Sequence, residues 1–222
     1  MRTVVIGDIH GCYNELEQLL LDLESNQVYN KNTDRLIFLG DYIDRGKDSK
    51  KVVRFIRSLQ RDNENVIALK GNHEDMCVNY YKYGRLDWKI NGANKTIKSY
   101  HGHKELRRDL NWMEHLPLYY EDEHFIYVHA GIDANKPMSE QSNYHLLWVR
   151  EPFLWSTTKQ DKRVVFGHTP SQLAIESDKP YYTLADNIGI DTGCVFGGKL
   201  TALIIDDDKI TEFWQTQNGN NN

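Results

Sequence analysis

The chain has 222 residues, of which 40% are hydrophobic and 27% charged, and its formal net charge is -5. This composition is typical of a globular protein with one domain or at most two. A negative net charge argues against a nucleic-acid partner, because nucleic-acid-binding domains usually carry a basic face. No apolar run approaches the roughly 20 residues that a membrane-spanning helix needs. We therefore expect neither a nucleic-acid partner nor a membrane partner.

The start of the chain reads as a strand and lacks the long apolar segment of a secretion signal. The three cysteines, Cys12, Cys77 and Cys194, are widely spaced and match neither a disulfide framework nor a zinc-binding pattern. Free thiols in a reducing compartment are the simplest interpretation. Together these features predict a cytoplasmic protein.

The first third of the chain alternates strand and helix patterns. Apolar runs predict strands at residues 3–6, 35–39 and 65–69. Apolar residues at helical spacing predict helices at 13–23 and 49–59. Strands that alternate with helices in this way are expected to be parallel, because right-handed helical crossovers connect them.

The rest of the chain divides into a helical middle and a strand-rich final third. Residues 74–116 show helical patterns and read as an insertion. Further strands are predicted at 125–128, 163–166, 181–184, 187–190, 200–205 and 210–214, with a hairpin turn at 206–208. We expect a single α/β domain over residues 1–216, a helical insertion at about 74–116 and a polar tail at 217–222.

Polar residues that suit metal ions follow five of the predicted strands. The segments are Gly7-Asp8-Ile9-His10-Gly11, Gly40-Asp41-Tyr42-Ile43-Asp44-Arg45-Gly46, Gly71-Asn72-His73-Glu74, His129-Ala130-Gly131 and Gly167-His168-Thr169-Pro170. In open α/β sheets, ligands bind beyond the carboxyl ends of the strands. Five such segments in one chain therefore predict a shared site at that edge of the sheet.

The residue types in these segments predict a centre with two divalent ions. Carboxylate, amide and imidazole ligands suit Mn²⁺, Fe²⁺ or Zn²⁺. Asp8 and His10, two apart on an extended segment, are expected to point to the same side and chelate one ion. A carboxylate can bridge two ions, and Asp41 is the candidate. Two ions about 3.5–4 Å apart share a water and lower its pKa, which is the chemistry of phosphate ester hydrolysis.

Five segments of the chain resemble the signature of the calcineurin-like metallophosphoesterases, and most closely that of the phosphoprotein phosphatase branch. In chain order they are GDIHG, GDYIDRG, GNHE, HAG and GHTP. IGIDTG and GGKLTAL are similar to segments of bacterial and phage-type serine/threonine phosphatases and of the related symmetrical diadenosine tetraphosphate hydrolases. The resemblance extends from residue 4 to about 205. It implies an α/β fold in which a β-sandwich of mixed sheets is flanked by helices, with a dinuclear metal site at the strand ends.

The resemblance also implies a role for each matching residue. The first ion would be held by Asp8, His10 and Asp41, and the second by Asp41, Asn72, His129 and His168. His73 matches the general acid that protonates the leaving oxygen, and Asp44 matches the carboxylate that orients it. Arg45 matches a phosphate-binding arginine. Arg150 is the best match for a second one, with Arg163 as the alternative.

These matches leave two substrates open. The main expectation is a serine/threonine protein phosphatase that hydrolyses phosphomonoesters with a metal-bridging hydroxide, using two ions, Mn²⁺ or else Fe, Zn or Ni. The alternative is a symmetrical bis(5'-nucleosyl)-tetraphosphatase acting on a dinucleoside polyphosphate. Asp44 favours the phosphatase, because the resemblance implies that tetraphosphate hydrolases often have another residue before the Arg-Gly pair. The chain also offers little material for a second nucleoside pocket. The oligomeric state stays open.

Overall fold

The computed structural model describes residues 1–216, in which two five-stranded sheets pack face to face. The polar tail predicted at 217–222 lies outside the described residues. The strands are Arg2–Ile6 (β1), Arg35–Phe38 (β2), Val66–Ala68 (β3), Tyr119–Glu121 (β4), Phe125–Val128 (β5), Arg163–Phe166 (β6), Tyr181–Tyr182 (β7), Ile188–Gly189 (β8), Thr201–Asp206 (β9) and Lys209–Gln215 (β10).

Helices precede, follow and connect these strands. They are Tyr13–Ser25 (α1), Ser49–Asp62 (α2), Asn72–Tyr83 (α3), Asp87–Ile90 (α4), Ala93–Ser99 (α5), His103–Leu106 (α6), Leu110–Glu114 (α7), Asn143–Trp148 (α8), Glu151–Leu154 (α9) and Ser171–Ile175 (α10). Short 3₁₀ turns lie at Met138–Glu140 and Cys194–Phe196.

Both sheets are mixed, as the α/β sandwich prediction requires. The first has the order β10-β9-β1-β2-β3, with β1, β2 and β3 parallel and β9 antiparallel to both β1 and β10. The second has the order β4-β5-β6-β8-β7, with β5, β6 and β8 parallel and antiparallel strands at both edges. The parallel strands of each sheet end on the same side, which brings their polar segments together.

Successive side chains of each strand point to opposite faces of the sheet, which divides the core into layers. Val4 and Ile6 of β1 pack in the cluster that includes α1 and α2, whereas Val5 packs between the two sheets. On the outer face of the second sheet, a third cluster brings β5 and β6 against α8 and α9. The order of layers is therefore helices, sheet, sheet, helices.

The region predicted as a helical insertion contains α3 to α7, and within residues 72–114 the structure has no strand. Its buried side chains, among them Met76, Trp88 and Tyr100, join the same cluster as α1 and α2. The domain boundary at residue 216 stays a prediction. Among the described residues, no helix combines the length and the apolar character needed to cross a bilayer.

The strand predictions were mostly right, with errors at short elements. The strands at 125–128 and 163–166 have the predicted bounds, and β10 is longer by one residue at each end. The strands predicted at 181–184 and 187–190 have only two residues each, and β4 was missed. The missed strand has only three residues, too few for an alternating pattern to stand out.

Side chains buried between the two sheets are expected to make the largest individual contributions to the free energy of unfolding. Leu203→Ala removes a fully buried side chain from it, and should lower the free energy of unfolding by about 2–5 kcal/mol, measured by urea denaturation. The matched control is Leu21→Ala on α1, because Leu21 is 53% exposed and its change should stay within about 0.5 kcal/mol. Equal effects of the two variants would contradict the layer assignment.

Candidate metal centre

The polar segments after β1, β2, β3, β5 and β6 meet at one edge of the sandwich, around a cavity of about 140 Å³. Most residues predicted for the site line this cavity: Asp8, His10, Asp41, Arg45, Asn72, His73, Arg150 and His168. His129 and Asp44 are fully buried, His129 against Asn72 and Asp44 against His73. The structure therefore brings together every residue that the sequence assigned to the site.

The backbone of this edge has an unusual conformation. His10, Asp41, Asp44, Arg45 and His168 all have positive φ, between 45° and 72°. Side chains other than glycine rarely adopt this left-handed region, and such strain concentrates at functional sites. The expectation that Asp8 and His10 lie on an extended segment was wrong, because the chain turns at His10 (φ 45°).

Asp41 is the carboxylate on which the imidazoles converge. Its two oxygens lie 3.3 Å from His10 Nε2 and 3.5 Å from His129 Nε2, and the His73 backbone N–H donates to Oδ1 at 3.0 Å. Burial alone would raise the pKa of Asp41, but His129, His73 and His10 lower it well below its ordinary value. A buried carboxylate surrounded by three imidazoles is suited to bind cations.

Two groups of possible metal ligands share Asp41. Ligand atoms of His10, Asp41 and His73 lie within 4.8 Å of one another, and so do those of Asp41, His129 and His168. Among the described side chains near the cavity, Asp41 is thus the one placed to contact two ions. The first group contains His73, which the resemblance assigned as an acid, and does not include Asp8.

Backbone carbonyls orient two of the imidazoles. His10 Nδ1 donates to Ile43 O at 2.7 Å, and His129 Nδ1 donates to Leu39 O at 3.0 Å. Because a carbonyl only accepts, each Nε2 keeps its lone pair for a metal, and such partners are the usual support of histidine ligands. Burial lowers the pKa of His129 to about 4, which keeps it in the neutral form that a metal needs.

Asn72 and Asp8 complete the polar lining. Asn72 Oδ1 lies 2.8 Å from His129 Nε2 and 3.1 Å from His168 Nδ1. Asp8 accepts the His168 backbone N–H at 3.1 Å. Burial, followed by the charges of Asp191 and Asp41, raises the pKa of Asp8 well above its ordinary value. Buried carboxylates that repel one another, beside oriented imidazoles, fit divalent ions of the Mn²⁺ or Zn²⁺ type.

Asp44 and His73 form a buried pair beside these ligands. Asp44 Oδ2 lies 2.6 Å from His73 Nδ1, and Asp44 also accepts hydrogen bonds from Trp88 Nε1 at 2.8 Å and Thr96 Oγ1 at 2.6 Å. Burial lowers the pKa of His73, although Asp41 and Asp44 oppose this effect. The pair leaves His73 Nε2 directed towards Asp41 at 3.9 Å. This arrangement can hold and deliver a proton at Nε2.

Two arginines reach the cavity. The Arg45 guanidinium contacts His10 Nε2 and lies 5.3 Å from the centre of the Phe196 ring. Arg150 Nε donates to His168 Nε2 at 3.1 Å. Arg163 instead pairs with Asp186 at 3.2 Å, at the start of β6 and away from the cavity. Of the two arginines that the sequence left open, Arg150 is the one at the site.

Four residues at or beside the cavity are not among those that the sequence assigned to the site. The Glu74 carboxylate accepts the backbone N–H groups of Asp41 and Tyr42 at 2.9 Å and of Gly71 at 3.0 Å, and burial raises its pKa to about 8. Burial also raises the pKa of Asp191 to about 6. Leu173 and Phe196 line the cavity and are 71% and 60% exposed. The only sequence signals were the position of Glu74 beside His73 and that of Asp191 at a strand end.

A larger groove of about 920 Å³ lies between α2 and α7. It is lined by arginines that already have acidic partners: Arg54 and Arg108 pair with Glu105, Arg57 with Asp109 and Arg61 with Asp62. Because these charges are satisfied within the fold, the smaller cavity with its buried ligand groups is the better candidate site.

Similarities to known proteins agree with this geometry. The chain is 30% identical to the asymmetrical bis(5'-nucleosyl)-tetraphosphatase PrpE of Anoxybacillus flavithermus, over 90% of this chain and 88% of the relative. It is 27% identical to the symmetrical bis(5'-nucleosyl)-tetraphosphatase of a Marinomonas species, over 94% and 95%.

Solved structures share the fold. A putative diadenosine tetraphosphatase superposes with a TM-score of 0.72 at 22% identity, covering 98% of this chain and 95% of that one. A serine/threonine phosphatase from Saccharomyces cerevisiae gives a TM-score of 0.62 at 14% identity, covering 98% and 80%. The sequence model of the calcineurin-like phosphoesterases matches residues 1–188. This protein is a member of the calcineurin-like phosphoesterase family.

Proposed function

We propose that this phosphoesterase is a dinucleoside tetraphosphate hydrolase, which splits a phosphoanhydride bond with the help of two divalent ions. This reverses the order of the two substrates expected from the sequence. The sequence relatives named above are bis(5'-nucleosyl)-tetraphosphatases that align over about nine-tenths of each chain. The protein phosphatases share the fold at much lower identity.

The ligand set for the ions is the one implied by the family resemblance. Asp8, His10 and Asp41 would hold one ion, and Asp41, Asn72, His129 and His168 the other. The mixed oxygen and nitrogen donors suit Mn²⁺, with Fe, Zn or Ni as alternatives. When bound, the two ions would supply Lewis-acid charge to the phosphate and lower the pKa of a nearby water.

The chain's own residues would grip the phosphate. Arg45 reaches the cavity beside His10, and Arg150 reaches it beside His168. A guanidinium presents a planar fork that matches two phosphate oxygens. The basic arginines also offset the buried carboxylates Asp8 and Asp41, so that an anionic substrate can approach.

The observation that favours a nucleotide substrate is the apolar rim formed by Leu173 and Phe196. A cavity of about 140 Å³ is smaller than the 300–1,000 Å³ typical of pockets that enclose a whole ligand. The reacting phosphate fits inside, and the rest of the substrate must lie on the rim. There, Phe196 offers an exposed ring on which a base can stack, and its contact with Arg45 places that ring beside the phosphate site.

A protein phosphomonoesterase is the second candidate, because of the Asp44–His73 pair. The serine alkoxide is a poor leaving group that needs a proton, whereas a nucleotide phosphate leaves readily. An imidazole held by a buried carboxylate at 2.6 Å is a proton donor suited to the harder reaction. The two candidates share the metal centre and differ in what lies on the rim.

The substrate preference is tested by comparing rates with Mn²⁺ supplied. We expect kcat/KM for diadenosine tetraphosphate to exceed that for a phosphoserine peptide by at least about tenfold, which corresponds to about 1.4 kcal/mol. The products then distinguish symmetrical cleavage, which gives ADP alone, from asymmetrical cleavage, which gives AMP and ATP. A peptide that is hydrolysed as well as the tetraphosphate would refute the proposal.

The rim is tested with Phe196→Ala. Loss of one stacking platform should raise KM for diadenosine tetraphosphate by about 5- to 150-fold, since base stacking contributes about 1–3 kcal/mol. Hydrolysis of p-nitrophenyl phosphate, which has no base, should change little. Phe196→Trp should retain tight binding, and Tyr182→Ala, at an exposed aromatic outside the cavity lining, is the matched control. An equal loss on both substrates would mean that Phe196 acts through Arg45 instead.

His73→Asn separates the proton donor from a metal ligand. We expect kcat on a phosphoserine peptide to fall by roughly 10²- to 10⁴-fold, with a much smaller loss on the tetraphosphate and on p-nitrophenyl phosphate. Metal analysis should still find close to two ions per chain, whereas Asp41→Asn should lose metal, and a chelator should abolish activity of the unmodified protein. If the His73 variant loses an ion, His73 is a ligand and the assigned role is wrong.

A further inference from the structure

Two cysteines that are far apart in sequence meet next to the active-site edge. Cys12 lies directly before α1, Glu15 follows in the first turn of that helix, and Cys194 begins the 3₁₀ turn Cys194–Phe196. The two sulfur atoms and a carboxylate oxygen of Glu15 lie within 4.8 Å of one another. The sequence, in which Cys12 and Cys194 are separated by most of the chain, gave no sign of this cluster.

The three groups have few other partners. Both thiols are free, Cys12 is partly buried, and Cys194 is 9% exposed. The Cys12 thiol makes one weak contact, with His10 O at 4.0 Å. Within residues 1–216, no hydrogen bond or ion pair engages the Glu15 carboxylate. A carboxylate thus lies beside two thiols without a cation to balance it.

We propose that Cys12, Glu15 and Cys194 form a third metal site, for a thiophilic divalent ion such as Zn²⁺. Thiolate ligands select such ions, and two sulfurs with one carboxylate oxygen leave the fourth tetrahedral position for water. Zn–S bonds of about 2.3 Å place two sulfurs about 3.8 Å apart. Because the ligand atoms lie within 4.8 Å of one another, the separation of the two sulfurs exceeds this value by at most about 1 Å.

Glu15 distinguishes this proposal from a disulfide. Joining Cys12 to Cys194 in a disulfide would need an oxidant and would not involve the nearby Glu15 carboxylate. A divalent ion uses all three groups and needs no change of oxidation state. The site also differs chemically from the catalytic centre, whose ligand set of Asp, Asn and His contains no sulfur.

An ion at this site would connect the start of α1 to the turn that carries Phe196. Cys12 is two residues after His10, and Cys194 is two residues before Phe196. A bound ion would therefore hold the turn that carries Phe196 against the start of α1. Binding itself can be measured without reference to activity, so that this inference stands or falls separately from the proposed substrate.

Cd²⁺ is the sharpest probe, because only thiolate ligation gives its ultraviolet charge-transfer band. Reduced protein already loaded with Mn²⁺ should develop this band and saturate at one Cd²⁺ per chain. Cys12→Ser and Cys194→Ser should each reduce or abolish the band, whereas Cys77→Ser, at a buried thiol outside the cluster, should keep it. Glu15→Gln should keep the band but weaken binding by about tenfold or more, as loss of a supporting group does at metal sites.

A second measurement needs no variant. Alkylation of Cys12 in the unmodified protein, followed by mass spectrometry, should be slowed by Zn²⁺ and unaffected by Mn²⁺. The proposal is overturned if reduced protein gives no band, if the band persists in the Cys12→Ser/Cys194→Ser double variant, or if Zn²⁺ leaves the alkylation rate unchanged. If a variant fails to fold, the alkylation result decides.

Discussion

The geometry of the site depends on one buried carboxylate, that of Glu74. Its two oxygens accept the backbone N–H groups of Asp41 and Tyr42, after β2, and of Gly71, after β3. These groups are buried, and each would cost about 1–3 kcal/mol if left without a partner. Glu74 therefore ties the ends of two neighbouring strands into one rigid loop pair. Together with the His10 N–H that donates to Asp41 O, this tie helps to hold the positive φ of Asp41.

That constraint explains how Asp41 can meet three imidazoles from different parts of the chain. His10 follows β1, His73 is the second residue of α3 and His129 follows β5, and all three lie near the same carboxylate. A hydrogen bond at Nδ1 orients each ring. Backbone carbonyls accept this bond from His10 and His129, and the Asp44 carboxylate accepts it from His73. The fold thus orients these three imidazoles by hydrogen bonds at Nδ1, which leave each Nε2 facing Asp41.

The sequence predicted the fold where its patterns were long. The apolar runs before Asp8 and Asp41 are long enough to identify strands, and the leucines of α1 identify a helix. Short elements were lost, such as β4 and α10, whose few residues carry no clear period. The pairing of β8 with β6 depends on contacts between segments more than twenty residues apart, which no local pattern records.

The same limit applies to the site. Residues that sit directly after a predicted strand, such as Asp8 and His129, could be grouped because the ends of parallel strands converge. Phe196 and Cys12 could not, because their roles arise from a turn that folds back beside Arg45 and α1. The extended geometry assumed for His10 failed for a related reason, since its left-handed backbone is imposed by tertiary hydrogen bonds, including one from its own N–H to Asp41 O at 2.8 Å.

The metal centre alone cannot set the substrate. In the proposed function, everything inside the small cavity, from Asp41 to the two arginines, serves a phosphate and two ions, and a phosphoserine and a nucleotide present the same group there. Discrimination must come from surface that contacts the rest of the substrate, since binding energy away from the reacting atoms is what separates competing substrates. In the proposed function that surface is the rim of Leu173 and Phe196, built by α10 and the 3₁₀ turn after β8. These segments come from the final third of the chain, where the sequence had suggested little material for a second nucleoside pocket. An exposed aromatic ring needs few residues to support it, and Arg45 supplies part of that support from the metal-binding loop itself.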